Sequence, residues 1–317
     1  MPPETTDLYL DVPLTNVSIA YRNPGFVAEE VLPIIPFAAK YGKYPVFGYE
    51  RFMIPMTHRA PQTAPARIDW SLAWTAFEAE EQTIEVALDD QQRQQSGSVN
   101  AERSSVNIVT EQLLLAREKR VADLVLSTSV ITQYDTLAGD EQWDDADYAA
   151  VNDPIARFLT AQETIAAATG MVPNRAVMSR QVFNALRRHP LILERVSMTG
   201  TGGRDARVIN AEILAQVFDL ERVLIADTQY NSAKEGASVD IDPVWSDSVL
   251  IYHYRPGPEL EMPRLGAILN WEAMALPRQI TRYREARIKS DVFQCTEYVD
   301  EVVMSAPSGY LLTDVLA

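Results

Sequence analysis

The sequence predicts a mixed α+β fold in which a discontinuous outer region, made of strands and one long helix, carries an inserted α/β unit. Three observations lead there: period-two alternation over residues 67–77 and 82–89, a helical repeat from Ser104 to about Ser127, and alternating helix and strand signals from Asp153 to Gly266. A chain of 317 residues buries a sizeable interior and divides naturally into two or three closely packed subdomains.

The first 65 residues combine two opposed features. Pro13, Pro24, Pro33, Pro36, Pro45, Pro55, Pro61 and Pro65 interrupt regular elements, because each withholds a backbone donor. Yet Leu8, Leu10, Val31, Leu32, Ile34 and Phe37 make the stretch too apolar for a solvated linker. An extended arm that buries its side chains against another surface, its own or a neighbour's, reconciles the two. Alternation follows, with Ile68, Trp70, Leu72, Trp74 and Ala76 on one side and Asp69, Ser71, Ala73 and Thr75 on the other; Ile84, Val86 and Leu88 repeat it. These two strands are expected to form a long hairpin or its base, and the Gln- and Ser-rich stretch Asp89 to Asn100 a turn or loop.

From Ser104 to Ser127, Val106, Val109, Leu113, Val121, Leu124 and Val125 recur at helical spacing, with charged residues on the other side. About 24 residues at 1.5 Å each give roughly 36 Å, enough to span a subdomain. The acidic segment Gly139 to Asp147 reads as a solvated loop. Asp153 and Pro154 open a helix as N-cap and first residue, and Gly170 closes it. Arg175 to Ser179 is a strand whose last residue caps the next helix, which Pro190 interrupts. Ser197 to Arg207 is a glycine-rich loop, Asn210 caps a further helix, and Val223–Ala226 and Val249–Tyr252 read as buried strands. Strand character returns at Leu265–Trp271, Ile280–Lys289 and Asp291–Met304, with a turn expected at Ser290-Asp291. These last strands are expected to pack against the long helix.

Composition removes several function classes. Acidic residues outnumber basic ones 44 to 28, a net charge of −16, which argues against a surface that grips nucleic-acid phosphates. The single Cys295 forms no intrachain disulfide and excludes a thiolate zinc cluster, and His58, His189 and His253 lack metal-motif spacing. Residues 1–11 carry no signal-peptide pattern and no stretch reaches the length of a membrane span, so synthesis in a reducing cytoplasm is expected.

Thr199-Gly-Thr-Gly-Gly-Arg204 fails both the P-loop and the dinucleotide pattern. Asp140, Glu141, Asp144, Asp145 and Asp147 lack calcium-loop spacing, and Asp240 and Asp242 precede Pro243 in what is either a strand or a loop. Cys295 shares a strand face with Phe293 and Glu297 as a small apolar contact. His253 reads as a core or interface residue, and His189 as a cation at a helix C-terminus. No serine lies in a Gly-x-Ser-x-Gly elbow. No catalytic, cofactor-binding or metal-ligating residue is therefore expected.

The order of segments is more specific than any motif. Pro173-Asn-Arg-Ala-Val-Met-Ser-Arg-Gln-Val-Phe-Asn-Ala-Leu-Arg-Arg-His-Pro190, Ile192-Leu-Glu-Arg195, Val223-Leu-Ile-Ala-Asp-Thr-Gln-Tyr-Asn231, Tyr254-Arg-Pro-Gly-Pro258, Tyr283-Arg-Glu-Ala-Arg-Ile-Lys-Ser-Asp291 and Ala306-Pro-Ser-Gly-Tyr-Leu-Leu-Thr-Asp314 resemble tailed-bacteriophage major capsid proteins. The resemblance implies the HK97-like capsid fold. It divides the chain into an N-terminal arm (1–45), an E-loop hairpin (46–88), a first part of the peripheral domain with its spine helix (89–154), an axial α/β domain (155–265), and peripheral return strands with the C-terminus (266–317).

It further implies a structural subunit that assembles through pentamers and hexamers into an icosahedral shell, enclosing phage DNA in the virion without sequence-specific or membrane binding. A portal and a decoration protein are implied partners. The first 100 residues hold no long amphipathic helix, so a separate scaffolding protein is expected. Lys40 and Lys43 precede the hairpin, so non-covalent assembly is expected rather than an E-loop cross-link. The alternatives are an encapsulin-like cargo compartment and a soluble α/β enzyme. Interface candidates are Trp70 and Trp74 on the E-loop, with sheet core as their other reading, Arg204 and Arg207 near the capsomer axis, and Arg282, Arg284 and Arg287 across peripheral contacts, with ordinary solvated strands as theirs.

Overall fold

The computed structural model describes residues 9–10, 14–15, 18, 25–46, 54, 57–59, 73–96, 98–144, 152–198, 209–234, 236, 238–257, 264–272 and 276–317. In chain order the elements used below are β1 (Tyr9–Leu10), α1 (Ala28–Val31), β2 (Ile34–Phe37), β3 (Tyr41–Val46), β4 (Ala73–Glu78), β5 (Glu80–Asp89), α2 (Asp90–Ser96), α3 (Ser98–Val125) and β6 (Tyr134–Thr136). The second half adds α4 (Pro154–Thr169), β7 (Arg175–Ser179), α5 (Arg180–Leu186), α6 (Pro190–Met198), α7 (Ala211–Val217), β8 (Arg222–Ala226), β9 (Gln229–Asn231), β10 (Ile241–Pro243), β11 (Val249–Tyr252), β12 (Gly266–Trp271), β13 (Gln279–Glu285), β14 (Ser290–Val303) and β15 (Gly309–Thr313).

Two sheets organise the chain. The six-stranded outer sheet runs β1-β13-β14-β12-β2, with β5 also paired to β14. Strand β14 is long enough to hold β13 and β12 in tandem, from Ser290 to Thr296 and from Val299 to Val303, while β5 pairs from Ser290 to Val299. The five-stranded sheet runs β6-β15-β11-β7-β8. Every residue of β11 is buried because both faces are covered, which a strand reading as a continuous apolar run requires. On one face Met178, Ile251 and Leu312 meet Phe158, Ile165 and Phe218 of the flanking helical segments; on the other Val177, Leu250 and Leu311 meet Val121 and Val125.

Helix α3 joins the two halves. Its early turns bury Val106, Val109 and Leu113 with Phe293 and Cys295 of the outer sheet, and its late turns bury Val121 and Val125 in the core of the second. The expected return of the terminal strands onto this helix is observed. The local helix signals hold as well. Asp153 accepts hydrogen bonds from the N–H groups of Ile155 and Ala156, Ser179 from Val182, and Asn210 from Ile213, while Gly170 ends α4 at φ 66°.

Several expectations are corrected. Residues 73–78 and 80–89 do not pair with each other: β4 pairs with β3, from Tyr41 opposite Glu78 to Val46 opposite Ala73, whereas β5 joins the outer sheet. The switch lies at buried Ala79, whose N–H donates to the Lys40 carbonyl at 2.8 Å. Lys43 therefore lies within the hairpin strand β3 rather than before the hairpin. Residues 90–96 are helical, not a turn, since Gln and Arg favour a helix as readily as a loop. The last hairpin turns at residues 286–289, with Lys289 at φ 53°, so Ser290 and Asp291 belong to β14. Strand β15 enters the second sheet between β6 and β11 rather than the outer one. The acidic segment is anchored by Trp143, which is buried and stacks towards Phe158.

Candidate functional site

The β3–β4 ribbon exposes large hydrophobic side chains on one face. One face, carrying Tyr44 and Phe77, is buried in a cluster with Phe37, Ile35 and Leu269, and Phe77 packs edge-on against Phe37 at 4.8 Å. A Cβ on Gly42 would lie 2.7 Å from the Phe77 ring, so glycine is what lets the aromatic cover the opposite strand. The other face carries Tyr41 and Trp74, exposed by 70% and 55%. Trp74 thus points away from the chain's own core, while Trp70, the second predicted anchor, lies outside the described residues.

The arginines of the terminal hairpin meet carboxylates within the chain. Arg284 bonds Asp90 through two nitrogens at 2.7 and 2.5 Å and reaches Asp291 at 3.2 Å; Arg282 reaches Asp291 at 2.6 Å, and Arg93 bonds it too. Burial alone would raise the Asp291 carboxyl, but hydrogen bonds from Arg282, Arg93 and Arg284 prevail and bring it down to about 2. The cluster ties α2 to β13 and β14. Arg287 is exposed in the turn, and Arg204 and Arg207 lie outside the described residues.

A third site was not legible in the sequence. The Glu118 carboxylate, buried on α3, accepts hydrogen bonds from the N–H groups of Val27 (3.0 Å) and Ala28 (2.8 Å) and from Trp245 Nε1 (2.6 Å). It caps α1 from ninety residues away. Burial pushes its pKa up, against those same donors. Beside it Arg117 pairs with Glu29 and, at 3.3 Å, with buried Glu297, while Arg222 pairs with Glu30 at 2.7 Å. The α1 segment is thereby fastened to the long helix and to the second sheet at once.

The remaining titratable groups are placed singly. Burial raises the Cys295 thiol to about 11, and its Sγ lies 3.8 Å from Ser18 Oγ. His189 is corrected from a helix-end cation to a buried residue whose pKa burial lowers, against the pull of Asp153. His253 Nδ1 meets the Val172 carbonyl at 2.9 Å. Asp240 and Asp242 flank and enter the short β9–β10 ribbon. Among the described residues no group of three or more His, Cys, Asp or Glu side chains gathers as a metal site, and no helix is long and apolar enough to cross a membrane.

No family model matches the chain. The chain is 24% identical over 314 residues, 96% of either chain, to a protein named major capsid protein in Burkholderia phage BcepMu. The crystal structure of a phage-related protein from Bordetella bronchiseptica RB50 superposes with a TM-score of 0.74 at 22% identity, covering 96% of this chain and 97% of that one. The capsid of cyanophage P-SCSP1u gives 0.61 at 12% identity, covering 94% and 90%. The arrangement of two sheets, a joining helix and a projecting ribbon is therefore a phage capsid fold of the HK97-like class. In sequence the chain is similar to proteins named major capsid protein in two phages, the second being Pseudomonas phage JBD67, at 26% identity over 242 residues, 74% of either chain.

Proposed function

We propose that this protein is the shell subunit of a phage-like particle, assembling through pentamers and hexamers into a closed icosahedral capsid around packaged DNA. The observation that carries the reading is the end-to-end likeness to a phage major capsid protein, at 96% coverage of both chains, on a chain with a matching fold. In this reading the outward face of the β3–β4 ribbon, with Tyr41 and Trp74, rests on a neighbouring subunit. Large aromatic side chains contribute disproportionately to such contacts once desolvated. Arg204, Arg207 and Arg287 remain proposed contacts, whereas Arg282 and Arg284 would act on a neighbour only by sharing carboxylates that they already hold.

The role is structural rather than catalytic. Assembly proceeds non-covalently, with a separate scaffolding protein, a portal and a decoration protein as partners, after synthesis in the host cytoplasm. The net charge of −16 suits a wall that encloses DNA without adhering to its phosphates. Negative-stain electron microscopy of purified protein, alone and with its scaffolding partner, tests the reading. Closed shells of uniform size are expected; monodisperse monomers under every assembly condition would refute it.

A further inference from the structure

Strand β8 ends the five-stranded sheet among the described residues, and its outer edge opens into a groove of about 560 Å³. Six consecutive residues, Leu220 to Ile225, line one wall. The last four of them belong to β8, and because side chains of a strand alternate between two faces, an unbroken run along one wall is that of a strand lying edge-on; the N–H groups of Leu220, Glu221 and Arg222 are already bonded within the chain, to the carbonyls of Ala215 and Asn174. A second groove of about 400 Å³ lies past Asp227, Thr228 and Gln229, where the Thr228 carbonyl already accepts from Val244 and Gln229 pairs with β10, and Phe26 borders both grooves. The lining of the first groove also includes two small residues of α7, Ala211 and Ala215.

The rim is acidic. Among the described residues, Glu30, Glu111, Glu212, Glu221 and Asp227 line the two grooves, with Arg222 as the basic residue. Arg222 is matched by Glu30, and Asp227 by Arg180 just outside, so the exposed Glu212 and Glu221 set the sign of the first groove's rim. An open strand edge is a template for pairing, and one recessed beside a helix admits one added strand while excluding another whole sheet.

The geometry points to a docking site for an extended, basic peptide segment of another polypeptide, which adds a strand along β8 and sets lysine or arginine side chains against the acidic rim. Main-chain pairing supplies the affinity and the rim selects the sign of charge. The site is separate from the outward face of the ribbon, and its existence does not rest on the shell reading.

The test uses the full-length protein and a fluorescein-labelled peptide of about twelve alternating lysine and valine residues, long enough to span the edge, with a glutamate–valine peptide as control. Fluorescence anisotropy in physiological salt measures binding, and hydrogen exchange measures protection over residues 220–229. Glu212→Lys with Glu221→Lys reverses two exposed rim charges; Gln216→Trp fills the groove from an exposed position on α7; Glu80→Lys with Glu163→Lys reverses two exposed charges elsewhere.

The proposal expects binding of the basic peptide alone, slower exchange at 220–229, and a loss of about tenfold in both groove variants but not in the control. Equal losses in the two charge-reversed proteins, equal binding of the acidic peptide, unchanged exchange at 220–229, or full binding by Gln216→Trp would each overturn it.

Discussion

The second sheet and the β3–β4 ribbon follow the same alternation rule to opposite ends. In the sheet, every residue of β11 is buried, and the aromatic stack of Phe158 on Phe218, with ring centroids 3.8 Å apart, closes one side within the chain. In the ribbon, one face is closed by Phe77 and Tyr44, while the other leaves Tyr41 and Trp74 in solvent. A two-stranded ribbon is marginal on its own, so an apolar outward face on one marks a surface to be completed from outside. The sheet closes its core within the chain; the ribbon, in the proposed function, keeps part of its apolar area for a neighbouring subunit.

Phe158→Ala should have the largest effect on folding. It removes the ring between Trp143 and Phe218 and should cost about 3–5 kcal/mol in denaturant unfolding of the unassembled chain. A cost below about 1 kcal/mol would show that this core is not self-sufficient. Next comes Glu118→Ala, which orphans the Val27 and Ala28 amides and the Trp245 indole together. A loss of about 2–3 kcal/mol is expected, with faster amide exchange at Val27 and Ala28. Unchanged exchange there would remove Glu118 as the fastening of α1.

Acid titration sharpens the contrast between the halves. Asp291 is held at about 2 against its ordinary 3.8, so the stability it contributes is complete above 3.8 and lost as pH falls towards 2. His189 is held neutral, so the unfolded chain takes up its proton first, and stability declines as pH falls below 6.5. Thermal unfolding of the unassembled chain should weaken in both windows. Arg282→Gln should flatten the lower window and leave the upper one, and an unaltered profile in that variant would disconnect the arginine cluster from acid stability.

What the sequence revealed follows the range of the interactions involved. Asp153, Ser179 and Asn210 cap helices through residues two or three positions away, so their roles are legible locally. Glu118 is not, because its partners stand at Val27, Ala28 and Trp245, and a lone Glu inside a long helix looks like part of its wet face. The crossing at Ala79 was hidden for a related reason. Alternation shows which residues share a face but not which strand pairs with which, and residues 73–78 and 80–89 carry the same pattern into different sheets. For Trp74 the sequence left an interface anchor and sheet core as alternatives; the folded chain shows the side chain exposed, and its contact with a neighbour is a proposal.

The smallest expected effect on the fold carries the largest consequence for assembly. Trp74→Ala leaves no cavity in a side chain's own core, so the unassembled variant should unfold within about 0.5 kcal/mol of the original. Its yield of closed shells, counted by negative-stain microscopy beside that unfolding curve, measures whether the ribbon's outward face belongs to a neighbouring subunit. The account predicts a near-unchanged curve with shells largely lost. Shells at full yield, or a chain destabilised by several kcal/mol, would contradict it.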